Sequence, residues 1–416
     1  MITRVRGTED FLDVRLYNFM LAITKHHLTR YNFTQIETPI LESTELYIRS
    51  VGTETDIVSK EMYIFNPGGG ESICLRPEGT AGIIRAYVEN SVTQSPWKVF
   101  LHGPMFRHER PQKGRWRQFN QISIEVINTP EVGHDAHLLK LLDTLFSNVL
   151  KLENYILKLN FLGCLDDRKE HKEALVAFLD KNIERICTTC QARREKNTLR
   201  IFDCKNEDCK ALYAKAPRVT DHLCKPCNKE WAQLQTLLGA LSVSYVLDST
   251  LVRGLDYYYN MVFEFMSRDL GAQSAFCGGG RYSLGKDVGA KENMPCVGVG
   301  IGTSRLFLLV QKYMHKLSLP QDDPLHVIIP FSDEQKTLAL LLANELQAHD
   351  LATEVLLDSA SISNLMKKAN KMGAKYALII GSDEQAQGTV SIKNMLKGTA
   401  ETIKQSEAVQ YFKMNA

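Results

Sequence analysis

The sequence predicts an α+β protein with a charged helical insertion and a separate C-terminal α/β domain. Three observations carry this expectation. WKVFLHGPMF (97–106) and FNQISIEVI (119–127) read as two strands bracketing a short basic loop. Between about 164 and 232 the chain turns charged and helical, with six cysteines from 187 to 227. After LSLPQDDP (317–324), a linker with two prolines and no periodicity, strands and helices alternate regularly.

Composition bounds the function classes. A chain of 416 residues suggests several domains, and 44% hydrophobic with 24% charged residues is ordinary globular composition. The net charge of +2 does not by itself point to nucleic acid, so local patches must hold any such partner. No apolar run approaches the ~18 residues of a membrane span, and MITRVRGTEDFLD lacks the apolar core of a signal peptide. The expectation is a cytoplasmic chain with no membrane partner, whose ten cysteines are reduced, metal-bound or buried.

Residues 15–32 have helical periodicity. FTQIETPILEST follows as an extended segment broken by Pro39, which marks a strand edge or end and a place for subunit contact. ESICLRPEGTAGIIRAYVEN (71–90) reads as a strand, a turn at 76–79 and a helix. In 119–127, Gln121, Ser123 and Glu125 share one face, and Ile122, Ile124 and Val126 the other. Residues 134–151 form an amphipathic helix. LVRGLDYYYNMVFEF (251–265) returns to a strand, with Tyr258, Asn260, Val262 and Glu264 on one side. SAFCGGGRYS (274–283) reads as a Gly-rich turn, and CVGVGIGTSRLFLLVQKYM (296–314) as a strand feeding a helix. The last ~90 residues imply a largely parallel sheet.

The loop FRHERPQKGRWRQFNQ concentrates Arg107, Glu109, Arg110, Lys113, Arg115 and Arg117. Guanidinium forks at such a strand junction suit phosphate oxygens; the competing reading is a solvated charged hairpin. Arg76, Arg253, Arg281 and Arg305 recur beside glycines and look like further phosphate clamps. Gly298, Gly300 and Gly302 lack dinucleotide-site spacing, and no GxxxxGK[ST] loop exists. Two CxxC pairs, Cys187/Cys190 and Cys224/Cys227, can supply four thiolates to one tetrahedral zinc. Cys204 and Cys209 are alternative ligands, since six candidates exceed four. The competing reading is a helical insert whose cysteines merely pack. Cys277 and Cys296 read as core residues.

RGTEDFLD, RPEGTAG, FRHERPQKGRWRQFNQ, LVRGLDYYYN, CGGGRY and GVGIGTSRL, in this order and spacing, resemble the bacterial type of histidyl-tRNA synthetase across the whole chain. The resemblance implies a class II synthetase fold, an antiparallel sheet flanked by helices. It implies a catalytic core in two parts, 1–163 and 233–318, an insertion over 164–232 and an anticodon-binding domain over 325–416. It implies a homodimer built partly around Pro39, with ATP, Mg²⁺, L-histidine and histidine tRNA as ligands; the structural Zn²⁺ expected in the insertion rests on the cysteine spacing alone.

By matching motif positions, Arg107 and Arg253 should flank the α-phosphate of ATP. Arg115 and Arg305 should hold the β- and γ-phosphates, and Glu109 should orient an arginine or meet adenine. Glu125 and Tyr258 should bind the imidazole, Glu78, Thr80 and Gln121 the α-amino end, and Tyr282 should close the pocket. Gln112 and Arg117 should meet the tRNA acceptor stem. The chain departs from the common family pattern at Asn120, Ser283 and Ser304, positions that usually hold histidine, aspartate and glutamate. The rivals are a regulatory paralogue, which lacks the anticodon-binding domain, and a plain nucleic-acid-binding module, which has no need of Glu78, Gln121, Glu125 and Tyr258 together.

Overall fold

The computed structural model describes residues 1–415 apart from 54, 113, 197, 256, 272, 273 and 322, so Lys113 of the basic loop lies outside the described residues. The chain divides into two units, Met1–Ser318 and Leu319–Ala416.

In chain order the strands of the first unit are β1 (Thr34–Gln35), β2 (Leu41–Ser43), β3 (Tyr63–Phe65), β4 (Ile73–Leu75), β5 (Trp97–Phe106), β6 (Gln118–Ile127), β7 (Tyr155–Phe161), β8 (Val246–Leu247), β9 (Tyr258–Ser267), β10 (Ala275–Tyr282) and β11 (Cys296–Gly302). Among the described residues they form an eight-stranded sheet, β1-β5-β6-β11-β10-β9-β7-β8, and a three-stranded sheet, β2-β4-β3. The large sheet is antiparallel except at its margins, where β1 pairs with β5 and β7 with β8 in parallel. Pro39 lies between β1 and β2, each an edge strand of its own sheet, as a residue without an amide donor requires.

Alternation decides which face each side chain serves. Ile122, Ile124, Val126, Met261, Phe263, Phe265, Val297, Val299 and Ile301 pack on one face, under helices Arg15–Arg30, Gly133–Thr144 and Lys225–Ala240. The other face carries Val262, Tyr258 and Tyr282 against Ile83 and Ile84 of helix Thr80–Glu89. Asn260 breaks the pattern. Its backbone is left-handed, at φ 49°, and its amide donates to Glu230 at 2.7 Å.

Two sequence expectations change here. The segment 274–283 is not a turn but β10, in the middle of the sheet. Its glycines serve close approach. A Cβ at Gly279 would lie 2.1 Å from Gly298 O, and one at Gly280 would lie 2.5 Å from Met261 O. The insertion also ends earlier than expected, because helix Lys225–Ala240 runs straight through position 232. Its Trp231, Leu234 and Leu238 belong to the main core, whereas Leu175, Leu179, Ile201 and Leu212 build a separate small core with Cys190, Cys204 and Cys209.

In the second unit, β12 (His326–Pro330), β13 (Thr353–Val355), β14 (Tyr376–Ile380), β15 (Thr389–Asn394) and β16 (Ala400–Lys404) form a sheet ordered β13-β12-β14-β15-β16. Only the β12–β13 and β12–β14 pairs are parallel; β14–β15 and β15–β16 are antiparallel. The sheet is therefore mixed rather than largely parallel, because the chain crosses over by helices only between its first three strands. Helices Lys336–Ala348 and Ala408–Met414 cover one face, and helix Ile362–Lys371 the other.

Candidate active site

A cavity of about 390 Å³ opens on the face of the large sheet that carries helix Thr80–Glu89. It gathers Glu78, Thr80, Gln121, Tyr258 and Arg253 with Arg107, Glu109, Arg115 and Arg305. These residues lie far apart in the chain and meet because β5, β6, β9, β10 and β11 are neighbours.

One end is rich in arginine. Arg107 Nε donates to Pro77 O at 2.9 Å, and its guanidinium lies 5.3 Å from the Phe119 ring centre. Glu109 pairs with Arg115 at 3.1 Å and lies 4.0 Å from Arg107. Arg305, at the start of helix Thr303–Tyr313, donates to Gly114 O at 2.8 Å and to Ala275 O at 2.5 Å. Burial, and next the charge of Arg115, disfavour the Arg305 cation; cations crowd this end before any anion arrives. Arg253 forms an ion pair with Glu264 of β9, and its buried Nε has no hydrogen-bond partner among the described residues. A Cβ at Gly278 would lie 2.5 Å from that guanidinium, so the glycine leaves it room.

The other end is closed. Glu125 is fully buried; Thr80 Oγ1 donates to its Oε1 and Tyr282 Oη to its Oε2, both at 2.7 Å. Burial pushes its carboxyl up to about 8, although both hydroxyls oppose the shift. Its space exists because β11 carries a glycine opposite: a Cβ at Gly298 would lie 1.6 Å from Oε2. Glu78 accepts from the amides of Thr80 and Ala81 at 2.6 and 2.8 Å, at the positive end of helix Thr80–Glu89. Burial raises this carboxyl too. Gln121 donates to Ser123 at 2.9 Å.

Glu125 and Tyr282 do not line the open cavity; they connect to it through Thr80. Gln112 and Arg117 lie outside it. Gln112 is exposed at the tip of the loop, in a tight pairing with Arg115. The Arg117 amide donates to Gly7 O at 2.7 Å, and Trp116 donates to Glu9 at 2.8 Å, which docks the N-terminal RGTED segment on the loop. Two expected phosphate clamps have other duties. Arg281 is buried in an ion pair with Asp135 and also donates to Thr129 O and Glu131 O. Arg76 donates to Pro104 O and Thr38 O. Both tie backbone segments together, and a guanidinium spent on carbonyls deep in the fold cannot meet a ligand. Glu264, to which the sequence assigns no role, also lines the cavity, and its alternation with Tyr258 along β9 is the signal that points there.

The cysteines also pair differently from the sequence expectation. Cys187 and Cys190 gather with Cys204 and Cys209, their sulfurs within 4.8 Å of one another. Cys224 and Cys227 instead meet Cys164 and Asp167, with ligand atoms within the same limit. The two CxxC pairs therefore do not share one ion. Cys224 caps the helix that returns to the core, while Cys187 lies in the small core of the insertion.

A family model described as histidyl-tRNA synthetase matches residues 18–306, and one described as an anticodon binding domain matches 326–415. The histidine–tRNA ligase of Solidesulfovibrio magneticus is 41% identical over 409 residues, covering 97% of this chain and 95% of the relative. This chain belongs to the histidyl-tRNA synthetase family. The crystal structure of apo Staphylococcus aureus histidyl-tRNA synthetase agrees, with 32% identity and a TM-score of 0.81, covering 99% of this chain and 100% of that one. A Bacillus halodurans chain described as an ATP phosphoribosyltransferase regulatory subunit/histidyl-tRNA synthetase is 17% identical, with a TM-score of 0.62 over 92% of this chain and 98% of that one; this shows a shared fold. The fold is that of a class II synthetase, and the family is one of ATP-dependent ligases. Among the described residues no helix is long and apolar enough to cross a membrane.

Proposed function

We propose a division of labour for histidine–tRNA ligation within this one cavity. The observation that supports it is the junction of an arginine-crowded end with a sealed carboxylate end across Thr80. ATP lies at the first end, with Arg107 and Arg253 on its α-phosphate and Arg115 and Arg305 on the β- and γ-phosphates. Glu109 holds Arg115 in place until the phosphates arrive. The histidine carboxylate attacks the α-phosphate in line and pyrophosphate leaves. A carboxylate is already ionised, so no general base is needed. The arginines supply orientation and cancel charge on the phosphoryl oxygens. Glu109 and Glu264 line this end of the cavity, each paired with an arginine that the phosphates would draw away, and they would then suit a hydrated Mg²⁺. That ion, when bound, neutralises phosphate charge.

At the other end Glu125 and Tyr258 bind the imidazole, with Tyr282 holding the carboxyl of Glu125 in place. Glu78, Thr80 and Gln121 bind the α-amino group. A buried hydrogen-bonding pocket rejects analogues strongly, because each unmet group costs ~1–3 kcal/mol. A terminal ribose hydroxyl of histidine tRNA then attacks the adenylate carbonyl. Gln112, exposed at the loop tip, and Arg117 meet the acceptor stem, and the 325–416 domain reads the anticodon. The chain works as a cytoplasmic homodimer joined around Pro39.

Cys187, Cys190, Cys204 and Cys209 hold a structural zinc. Cys187 Sγ lies 3.7 Å from Cys204 Sγ, and a tetrahedral zinc with sulfur at ~2.3 Å requires an edge of ~3.8 Å. The amides of Cys187 and Asn206 point at the sulfurs of Cys209 and Cys204, at 3.3 and 3.4 Å, as they would toward thiolates.

ATP–pyrophosphate exchange with each standard amino acid tests the reading. Exchange with histidine alone, abolished by Arg253→Ala, is expected. A folded chain that exchanges with none would favour a regulatory role.

A further inference from the structure

The second cysteine cluster stands apart from the zinc site just described and combines three thiols with one carboxylate. Cys164 ends the loop after β7 and caps helix Leu165–Asp180; Cys224 caps helix Lys225–Ala240. These are the two points where the insertion leaves and rejoins the core. Asp167 joins them: its Oδ2 accepts from the Cys164 amide at 3.1 Å, and its Oδ1 from the Cys224 amide at 2.9 Å. Cys227, one helical turn on, is buried in the main core, and its sulfur lies 3.9 Å from Asn260 Oδ1 of β9.

The four ligand atoms lie within 4.8 Å of one another. The pairs Cys164/Asp167 and Cys224/Cys227 share the i, i+3 spacing by which the first turn of a helix grips a tetrahedral ion. Gly163 has φ 66°, and a Cβ there would lie 2.5 Å from Asp167 Oδ2, so the backbone is shaped to admit this carboxylate. Three sulfurs and one oxygen select a borderline-soft dication over Mg²⁺ or Ca²⁺.

We propose that Cys164, Asp167, Cys224 and Cys227 form a second zinc site, a clamp that ties the beginning of the insertion to its end. The clamp reaches the cavity through the next residue. Arg168 Nη1 donates to Tyr258 O at 3.1 Å, and Arg200 of the insertion donates to Gly254 O at 2.6 Å. Both carbonyls belong to the segment that carries Arg253 and Tyr258, so the metal positions that segment without touching substrate. This last link rests on the proposed role of Tyr258; the metal site itself does not.

The test is the zinc content of the full chain, purified without added metal. Two equivalents per chain are expected, falling to one in C224S/C227S and to one in C187S/C190S. One equivalent in the folded native chain, unaffected by C224S/C227S, overturns the clamp. So does a disulfide among Cys164, Cys224 and Cys227 in the native chain, found by peptide mapping of alkylated protein. Because the double variant can misfold, Asp167→Asn provides a second route with every thiol kept. In chelator competition it is expected to release one of its two metals at least ~10-fold more readily than the native chain. Release identical to the native chain overturns the site. In the same variant the KM for histidine is expected to rise more than kcat falls, and an unchanged KM would remove the link to Tyr258.

Discussion

The two ends of the cavity are built in opposite ways. At the arginine end, side chains rest on substitutes: Arg107 on Pro77 O, Arg305 on Gly114 O and Ala275 O, Arg115 on Glu109 and Arg253 on Glu264. These contacts border an open space, and an incoming polyanion can replace them. At the carboxylate end nothing waits. Glu125 is already held by Thr80 and Tyr282, and Glu78 by two amides. The difference follows from solvation. These guanidiniums line an open cavity, so water or phosphate oxygens can take over when a protein partner leaves. A fully buried carboxyl without partners would cost several kcal/mol, so the fold supplies them in advance.

The sharpest way to break this comparison is at Arg253, whose Nε has no hydrogen-bond partner among the described residues. Arg253→Ala should lower kcat/KM for histidine-dependent exchange by ~10²–10³-fold or more, while the unfolding midpoint moves little. A large loss of stability instead would mean that the arginine end is as structural as the other. Gly298→Ala attacks the sealed end. Its Cβ would lie 1.6 Å from Glu125 Oε2, and overpacking of this kind costs ~1–3 kcal/mol. Calorimetry should show a lower Tm, together with a raised KM for histidine.

Glu125→Gln refines the point through pH. Burial raises the Glu125 carboxyl from 4.5 to about 8. Within that window the folded chain keeps a proton that the unfolded chain releases, so this group's contribution to stability is present below 4.5 and is lost as pH rises toward 8. Urea midpoints of Glu125→Gln should therefore fall less steeply across this range than those of the native chain. An unchanged slope would place the titration elsewhere. The smallest effect is expected at Gln112, which is exposed and outside the cavity. Gln112→Ala should slow tRNA charging a few-fold and leave pyrophosphate exchange untouched, since one exposed polar contact is worth ~1 kcal/mol.

Much of the site was legible before folding. RPEGT, the basic loop, LVRGLDYY and GVGIGTSR supplied the residues that line the cavity, because their chemistry is local: guanidinium forks beside turns and a polar stripe on β6. Arg76 and Arg281 show the limit of such reasoning. They share the setting of the cavity arginines in sequence, yet one is tied to Pro104 and Thr38 and the other to Asp135, 146 residues away. Glycines mislead in the same way. The run 278–280 looks like a turn, but as part of β10 it makes room for Arg253 and for neighbouring strands.

By itself, then, the sequence determined the kinds of groups present, the helix and strand periods, the family and the linker before the second unit, since each is written in adjacent residues. Only the tertiary structure decided which thiols meet, which arginines face the cavity and how Glu125 is housed. Those outcomes depend on strand register and on contacts between residues some 20 to 160 positions apart. No local pattern encodes that geometry, because a one-residue slip of register would turn Gly298 away from Glu125 and fill the space with a side chain.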